Sequence, residues 1–357
     1  MQKPSLGWQS WSPPFPKWHG FPRWDYPPFK VRAFKTALRP ACAGGETPKR
    51  LTKINYWCSW YAYGWNINHQ KIVETLTIIK KYKLPLTHII IDDGWATWGD
   101  WYTPNSGRFP NLTETVEAIH TNHLEAGLWL APFLASNKSQ LFKNHPNWFV
   151  KYHGHYVQGL KTMPIWESCI PKRYLLNFEL PEVKKYITDF IDLSINKWGI
   201  TLLKLDFLYA PYFNPHHKSD SIPHNHITWL LNYIKNHYPQ VTTIACGTPF
   251  AATIGLADIV RISKDTALPP EFPKILNKII YTFRVHMLRH KISAASMHQN
   301  FTQDPDVRLF ALDTTSTNVI WNTVSKNILG VGDNLNRLQS SQIIKIKSWL
   351  SSEATNP

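Results

Sequence analysis

Paired cysteines are missing from this chain. Its four cysteines, Cys42, Cys58, Cys169 and Cys246, lie far apart with no C-x-x-C among them. That excludes a disulfide framework and a cysteine zinc site, and they read as reduced thiols. Long apolar runs are missing too. No stretch approaches the ~18 uninterrupted apolar residues of a membrane span, and the opening residues, Met1 to Trp8, lack the apolar core of a secretory signal. A cytoplasmic protein with no membrane partner is expected. Acidic residues are scarce, 24 Asp+Glu against 39 Lys+Arg, for a net charge of +15. A nucleic-acid binder gathers such charge into dense runs or a recognisable module. Here the basic residues are scattered (Lys80, Lys81 and Lys83; Lys184 and Lys185; Lys345 and Lys347), so a solvated basic surface and no nucleic-acid partner are expected.

What is present is apolar, aromatic and ordered. The hydrophobic share of 43%, spread along the chain, excludes disordered and fibrous classes. A length of 357 residues allows about two domains, or one barrel of roughly 250 residues with additions. Seventeen tryptophans exceed what a core needs, and flat rings in that number suit stacking on sugars or bases.

Residues 1–50 are dense in proline (Pro4, Pro13, Pro14, Pro16, Pro22, Pro27, Pro28 and Pro40) and hold no lasting period, so an irregular arm is expected there. From Ile54 to about residue 350, short apolar runs alternate with longer amphipathic stretches. The strand candidates are Ile54 to Tyr61, His88 to Asp92, Gly127 to Ala131, Thr201 to Phe207, Val241 to Cys246, Asp258 to Ser263, Ile292 to Ser296 and Asn327 to Gly330. Helical stretches separate them: Asn68 to Tyr82, Leu112 to Ala126, Pro181 to Trp198, Ile222 to Tyr238, a short one near Ala251 to Leu256, Glu271 to His290, one after Asp306, and Asn336 to Leu350. Pro181 and the Asn111 start suit helix openings. Eight such pairs predict a (β/α)8 barrel over residues 51–350; the alternative, an open doubly wound sheet, differs in strand count.

Reactive residues of such barrels sit at the carboxyl ends of the strands. Lys204 and Asp206 are two apart on one strand, so both project to the same face. A cation there is expected to keep the carboxylate ionised, as a nucleophile requires; a structural ion pair is the plainer alternative. Asp265 follows the strand that carries Arg261, and alone it reads equally as a turn or cap residue. Asp92 and Asp93 end an apolar strand, where burial is costly unless a ligand's hydroxyls bind them. A metal site is the competing reading, but no His or Glu accompanies the pair at ligand spacing, and the 16 histidines are dispersed. Trp57, Trp60, Trp95 and Trp129, all near strand ends, are expected to form a wall. Two separate carboxylates, a carboxylate pair, a cation and tryptophans together suit a glycosidase.

The strings WCSWYAY (57–63), IDDGW with GDW (91–101), FP (109–110), GLWLAPF (127–133), HPNW (145–148), LLKLDFLYA (202–210), CGTP (246–249), RISKDTA (261–267), DPD (304–306) and GDNL (332–335) occur in an order that resembles glycoside hydrolase family 36, the α-galactosidase-like enzymes. The resemblance spans about residues 55 to 340. It implies a retaining enzyme without metal or cofactor, in which Asp206 is the nucleophile and Asp265 the acid/base. It further implies that Trp60, Asp92, Asp93, Trp129, Lys204, Cys246 and Arg261 line the pocket for a terminal galactose, with a small oligosaccharide or galactoside as partner. Family members carry an N-terminal β-sandwich; residues 1–50 are expected to be its remnant, and Trp8 or Trp11 in GWQSWSP (7–13) to reach toward the site. A sizeable C-terminal β-domain is not expected. Asn334 and Pro269-Pro270 depart from the family's pattern at the rim. The alternatives that remain are an α-N-acetylgalactosaminidase, a transglycosylase and a non-catalytic carbohydrate-binding barrel.

Overall fold

The computed structural model describes residues 53–160, 171–295, 302–324 and 327–352. Parallel strands β1 (Ile54–Cys58), β2 (His88–Ile91), β3 (Glu125–Leu130), β4 (Leu202–Leu205), β5 (Thr242–Ala245), β6 (Ile259–Arg261), β7 (Thr302–Asp304), β8 (Val307–Arg308) and β9 (Ile328–Val331) form one sheet in the order β7-β6-β5-β4-β3-β2-β1-β9-β8. Its two ends, β7 and β8, are consecutive pieces of one stretch, broken at Pro305 and Asp306. The order therefore turns back on itself, and the chain itself joins β6 to β9. This is a (β/α)8-type barrel whose seventh strand is kinked.

The strands read as continuous apolar runs because both of their faces are covered. Ile89, Ile90 and Ile91 of β2 and Leu202, Leu203 and Leu205 of β4 are fully buried. The outer ring holds α1 (His69–Tyr82), α2 (Leu112–Thr121), α3 (Pro181–Asn196), α4 (Ser221–His237), α5 (Lys274–Ala295), α6 (Thr315–Trp321) and α7 (Ser340–Ser351). Helix α1 starts where the Asn68 side chain accepts from the Lys71 N–H at 2.9 Å, and it buries Ile72, Leu76 and Ile79. Such a cap is worth about 1 kcal/mol, and each buried aliphatic about 1.5–3 kcal/mol. Helix α3 opens on Pro181, which needs no N–H donor there. Between β3 and α3 an excursion folds into a small antiparallel sheet, Leu134–Ser136, Arg173–Leu175 and Gln158–Leu160, laid on the barrel's carboxyl end.

Several elements differ from expectation. The seventh strand is not Ile292 to Ser296: residues 292–295 continue α5, because nothing in that alanine-containing run breaks a helix. The true strand, T-Q-D followed by V-R after the break, shows no apolar alternation, and Asp304 within it is fully buried. The first strand ends at Cys58, and Trp60–Tyr63 turns into a short helix. Helix α2 stops at Thr121 rather than Ala126, and Glu125 already belongs to β3. Between β5 and β6 only the short 3-10 turn Phe250–Ala252 stands where a helix was expected.

Candidate active site

The polar residues singled out above collect at the carboxyl end of the barrel, as parallel register dictates. Trp129 pairs with Lys204 across β3 and β4, and Arg261 pairs with Asp304 across β6 and β7. Asp92, Asp206 and Cys246 each follow the last residue of a strand.

Lys204 and Asp92 form the floor. The Lys204 ammonium sits 2.5 Å from Asp92 Oδ2, and both side chains are buried. Burial works against the ammonium, but the Asp92 charge outweighs it and holds Lys204 well above its usual pKa. The Cys58 thiol donates to the same Oδ2 at 3.2 Å, and the Asp92 N–H is fixed by Ser59 Oγ at 2.9 Å. Asp93 is gripped differently. The indole N–H groups of Trp65 and Trp98 each donate to one of its oxygens at 2.7 Å. Burial raises the Asp93 carboxyl to about 6, against the pull of the Arg173 charge and the two indoles. The Arg173 guanidinium lies over the Trp98 ring, 4.5 Å from its centroid.

Asp206 is half-buried, at the opening. Its Oδ1 accepts from the Phe207 backbone N–H at 2.7 Å and its Oδ2 from the Trp129 indole at 3.1 Å. Phe207 adopts φ 53°, a left-handed conformation that is rare for an aromatic residue. The expectation that Lys204 keeps the Asp206 pKa low is corrected: burial raises it, and Lys204, the two N–H donors and Asp92 only modify that result. The physical reason is loss of solvation, which outweighs the downward pull that Lys204 does exert.

Asp265, also half-buried, stands on the loop after β6. Burial pushes its carboxyl up to about 7; the Asp306 charge adds to this, and Arg261, with Nη1 3.7 Å from Asp265 Oδ1, opposes it. Asp206 raises it further, so the two carboxylates feel each other's charge. Arg261 itself is held by Asp304 (Nε to Oδ2, 2.8 Å) and Asp306 (Nη1 to Oδ1, 2.9 Å). Asp306 also accepts from the Thr266 N–H at 2.7 Å and the Tyr61 hydroxyl at 2.5 Å, and Arg284 donates to the Asp265 carbonyl at 2.7 Å. The loop carrying Asp265 is thus fastened on both sides.

Trp129 is the one member of the expected tryptophan wall that bonds a candidate catalytic carboxylate. Trp60 is buried edge-on to Trp65, with ring centroids 5.6 Å apart. Trp57 and Trp95 are fully buried: Trp57 donates to the Asp333 carbonyl at 2.9 Å, and Trp95 stacks on Phe190 behind β3. They are core, not wall: Trp57 lies within the buried strand β1, and Trp95, on the loop after β2, is enclosed by Trp101, Phe190 and Trp198. Cys246 is buried at the end of β5, its N–H donating to the Leu205 carbonyl at 2.8 Å, and burial pushes its thiol well above the usual range. Trp8 and Trp11 lie outside the described residues.

Sequence reasoning passed over Cys58, Trp65, Trp98, Arg173, Asp304 and Asp306 as site residues. The D-P-D string was visible, but two carboxylates around a proline point to a turn until Arg261 is found between them in space. Arg173 comes from the excursion, whose return to the barrel no local pattern reveals.

The sequence and the fold both have relatives. A family model described as melibiase matches residues 47–250. A probable alpha-galactosidase C of Aspergillus flavus is 31% identical over 181 residues, 44% of this chain and 22% of that protein. An alpha-galactosidase of Escherichia coli is 28% identical over 151 residues, 40% of this chain and 19% of its own length. These matches span about a fifth of the length of the curated relatives. The solved alpha-galactosidase from Thermus thermophilus, in complex with p-nitrophenyl alpha-D-galactopyranoside, superposes with a TM-score of 0.68 at 25% identity, over 86% of this chain and 64% of that one. A Geobacillus stearothermophilus enzyme, alpha-galactosidase AgaA, shares the fold at 16% identity, with a TM-score of 0.60 over 85% of this chain and 41% of that one. With the family model matching more than half of its length and the barrel matching solved members, the chain belongs to the melibiase family, the α-galactosidase-like branch of glycoside hydrolase family 36.

Proposed function

We propose that this chain is a retaining α-galactosidase that removes terminal α-linked galactose from small oligosaccharides or galactosides, with Asp206 as nucleophile, Asp265 as acid/base and residues 51–350 as the catalytic unit. The observation that carries the reading is the unequal treatment of the two half-buried carboxylates. Asp206 receives two N–H donors, which favour its charged form. No such pair reaches the Asp265 carboxyl among the described residues, and it is pushed to about 7, so at neutral pH a large fraction of it carries the proton a leaving group needs.

In the first half-reaction Asp206 attacks the anomeric carbon, the bond to the leaving oxygen breaks, and Asp265 gives that oxygen its proton. In the second, Asp265 takes a proton from water as the water oxygen replaces Asp206 at the same carbon. Two inversions leave the α configuration unchanged. Asp92 and Asp93 are the acceptors for sugar hydroxyls at the deep end. Each carboxylate oxygen has room for more than one donor, so bonds to Lys204, Trp65 and Trp98 orient these acceptors without exhausting them. Lys204 fixes the floor, Trp60 and Trp129 offer ring faces, Cys246 bounds the pocket near the 2-position, and Arg261 sets the position of Asp265. The solved Thermus enzyme binds p-nitrophenyl alpha-D-galactopyranoside, which supports the substrate class.

Among the described residues no helix is long and apolar enough to cross a membrane. The free, buried thiols of Cys58 and Cys246 support a reducing, cytoplasmic setting. The test is purified protein assayed with aryl α-galactoside, aryl α-N-acetylgalactosaminide and aryl α-glucoside side by side. The galactoside is expected to be preferred by at least about 100-fold in kcat/KM, within the roughly 10⁴–10⁵-fold that a site built to bond a hydroxyl can reach against an analogue that lacks it. Preference for either of the others would overturn the substrate assignment.

A further inference from the structure

A second group of titratable side chains lies outside the carboxylate cluster. Glu179, just ahead of α3, His217, on the loop after β4, and His226, on α4, bring one ligand atom each within 4.8 Å of one another. His226 Nε2 is 3.0 Å and His217 Nε2 3.6 Å from Glu179 Oε1. Both imidazole side chains are more than nine-tenths buried, while the Glu179 side chain is 57% exposed. The three residues line a cavity of about 710 Å³ together with Asn214, His216 and Trp229, and none of the catalytic candidates lines it.

The geometry points to a divalent transition-metal site formed by Glu179, His217 and His226, of the kind that takes Zn²⁺ through two imidazoles and one carboxylate. Tetrahedral zinc with bonds of about 2.0–2.1 Å spaces its ligand atoms about 3.3 Å apart, and the observed 3.0 and 3.6 Å straddle that value. Two nitrogens and one oxygen suit zinc, nickel or copper and disfavour magnesium or calcium, which ask for oxygen. The Asn214 amide, 2.9 Å from His217 Nε2, has to turn aside to admit the ion. The cavity gives solvent a way to a fourth position. A bound ion would tie the loop that begins at Asp206 to the start of α3 and to α4.

The test uses the full chain without a histidine tag, stripped with chelator and titrated with Zn²⁺ alone by calorimetry, and with Co²⁺ alone by visible absorption. One Zn²⁺ per chain at micromolar or tighter Kd, with Co²⁺ bands of a low-coordinate nitrogen and oxygen site, is expected. Glu179→Gln, at a side chain that is 57% exposed, and His226→Gln, both checked for an unchanged circular dichroism spectrum, should each weaken binding at least about ten-fold and abolish the bands. Unchanged Zn²⁺ affinity in Glu179→Gln would place the metal on other histidines and overturn the proposal. Absence of Zn²⁺ binding at 100-fold excess over the protein would overturn it as well.

Discussion

Arg261 and Asp304 face each other as register partners on adjacent strands, joined at 2.8 Å with both side chains out of water. Asp304 also accepts from the Tyr56 hydroxyl at 3.0 Å and the Asp306 N–H at 2.9 Å. Tyr56 can lie there because its own register partner on β9 is Gly330, where a Cβ would run into the tyrosine ring.

Removing one partner of such a pair leaves a buried charge uncompensated, which costs about 3–5 kcal/mol. Asp304→Asn keeps the shape and loses the charge, so it should lower the urea midpoint by an amount in that range at an unchanged slope. A loss below about 1 kcal/mol would show that Asp306 alone balances Arg261.

Asp265 titrates near 7 in the folded chain against an ordinary value of 3.8. For a galactoside with a poor leaving group, kcat/KM should therefore fall above about pH 7 as the proton is lost. Stability carries the matching sign: a raised acid binds its proton more tightly when folded, so its contribution is whole below about pH 4 and is lost as pH rises through 7. Asp265→Asn, inactive, should be more stable than the parent at pH 8 by on the order of 2 kcal/mol, with no such gain at pH 4. A denaturation series at the two pH values decides it.

Trp129 donates one of the two N–H bonds that favour the charged form of Asp206. Trp129→Phe deletes that donor, so the Asp206 pKa should rise and the acid limb of the pH–rate profile should move upward by about one unit. An acid limb that does not move would assign the indole to packing alone.

With an activated aryl leaving group, protonation of the departing oxygen matters little. Asp265→Ala should then still be galactosylated by Asp206 but lack the base that activates water. A galactosyl enzyme should accumulate, and azide should restore turnover and yield α-galactosyl azide. Mass spectrometry should map the adduct to the peptide holding Leu203 to Phe207. An adduct on any other carboxylate, or one seen in Asp206→Ala, would move the nucleophile elsewhere.

How much of this was legible in the sequence follows from what each element is made of. Strands such as His88–Ile91 and Leu202–Leu205 announce themselves because parallel strands buried on both faces are apolar throughout. Strand Thr302–Asp304 does not, because its residues are polar and its buried Asp304 is matched by Arg261, 43 positions earlier in the chain. The candidate carboxylates were found by position at strand ends. Their supporting cast, Cys58, Trp65, Trp98, Arg173 and Asp306, was not, because each of its members comes from a different stretch of the chain. Lys204 does pull the Asp206 pKa down, as its spacing suggests, but spacing on one strand shows only which residues share a face, not how strongly burial raises the carboxyl or that Asp92 arrives from another strand to pair with the ammonium.

The break at Pro305 and Asp306 carries a consequence for how the barrel fails. Elsewhere neighbouring strands are stitched by backbone hydrogen bonds, but at the kink the stitching passes to side chains: Asp304 and Asp306 hold Arg261, and Asp306 holds the Thr266 N–H and the Tyr61 hydroxyl. Those same groups set the position of Asp265. The kink of the cylinder and the support of Asp265, the proposed acid/base, are therefore one structure, and a molecule that begins to come apart there would lose its proposed proton donor while tryptophans buried elsewhere, such as Trp57 and Trp95, are still dry.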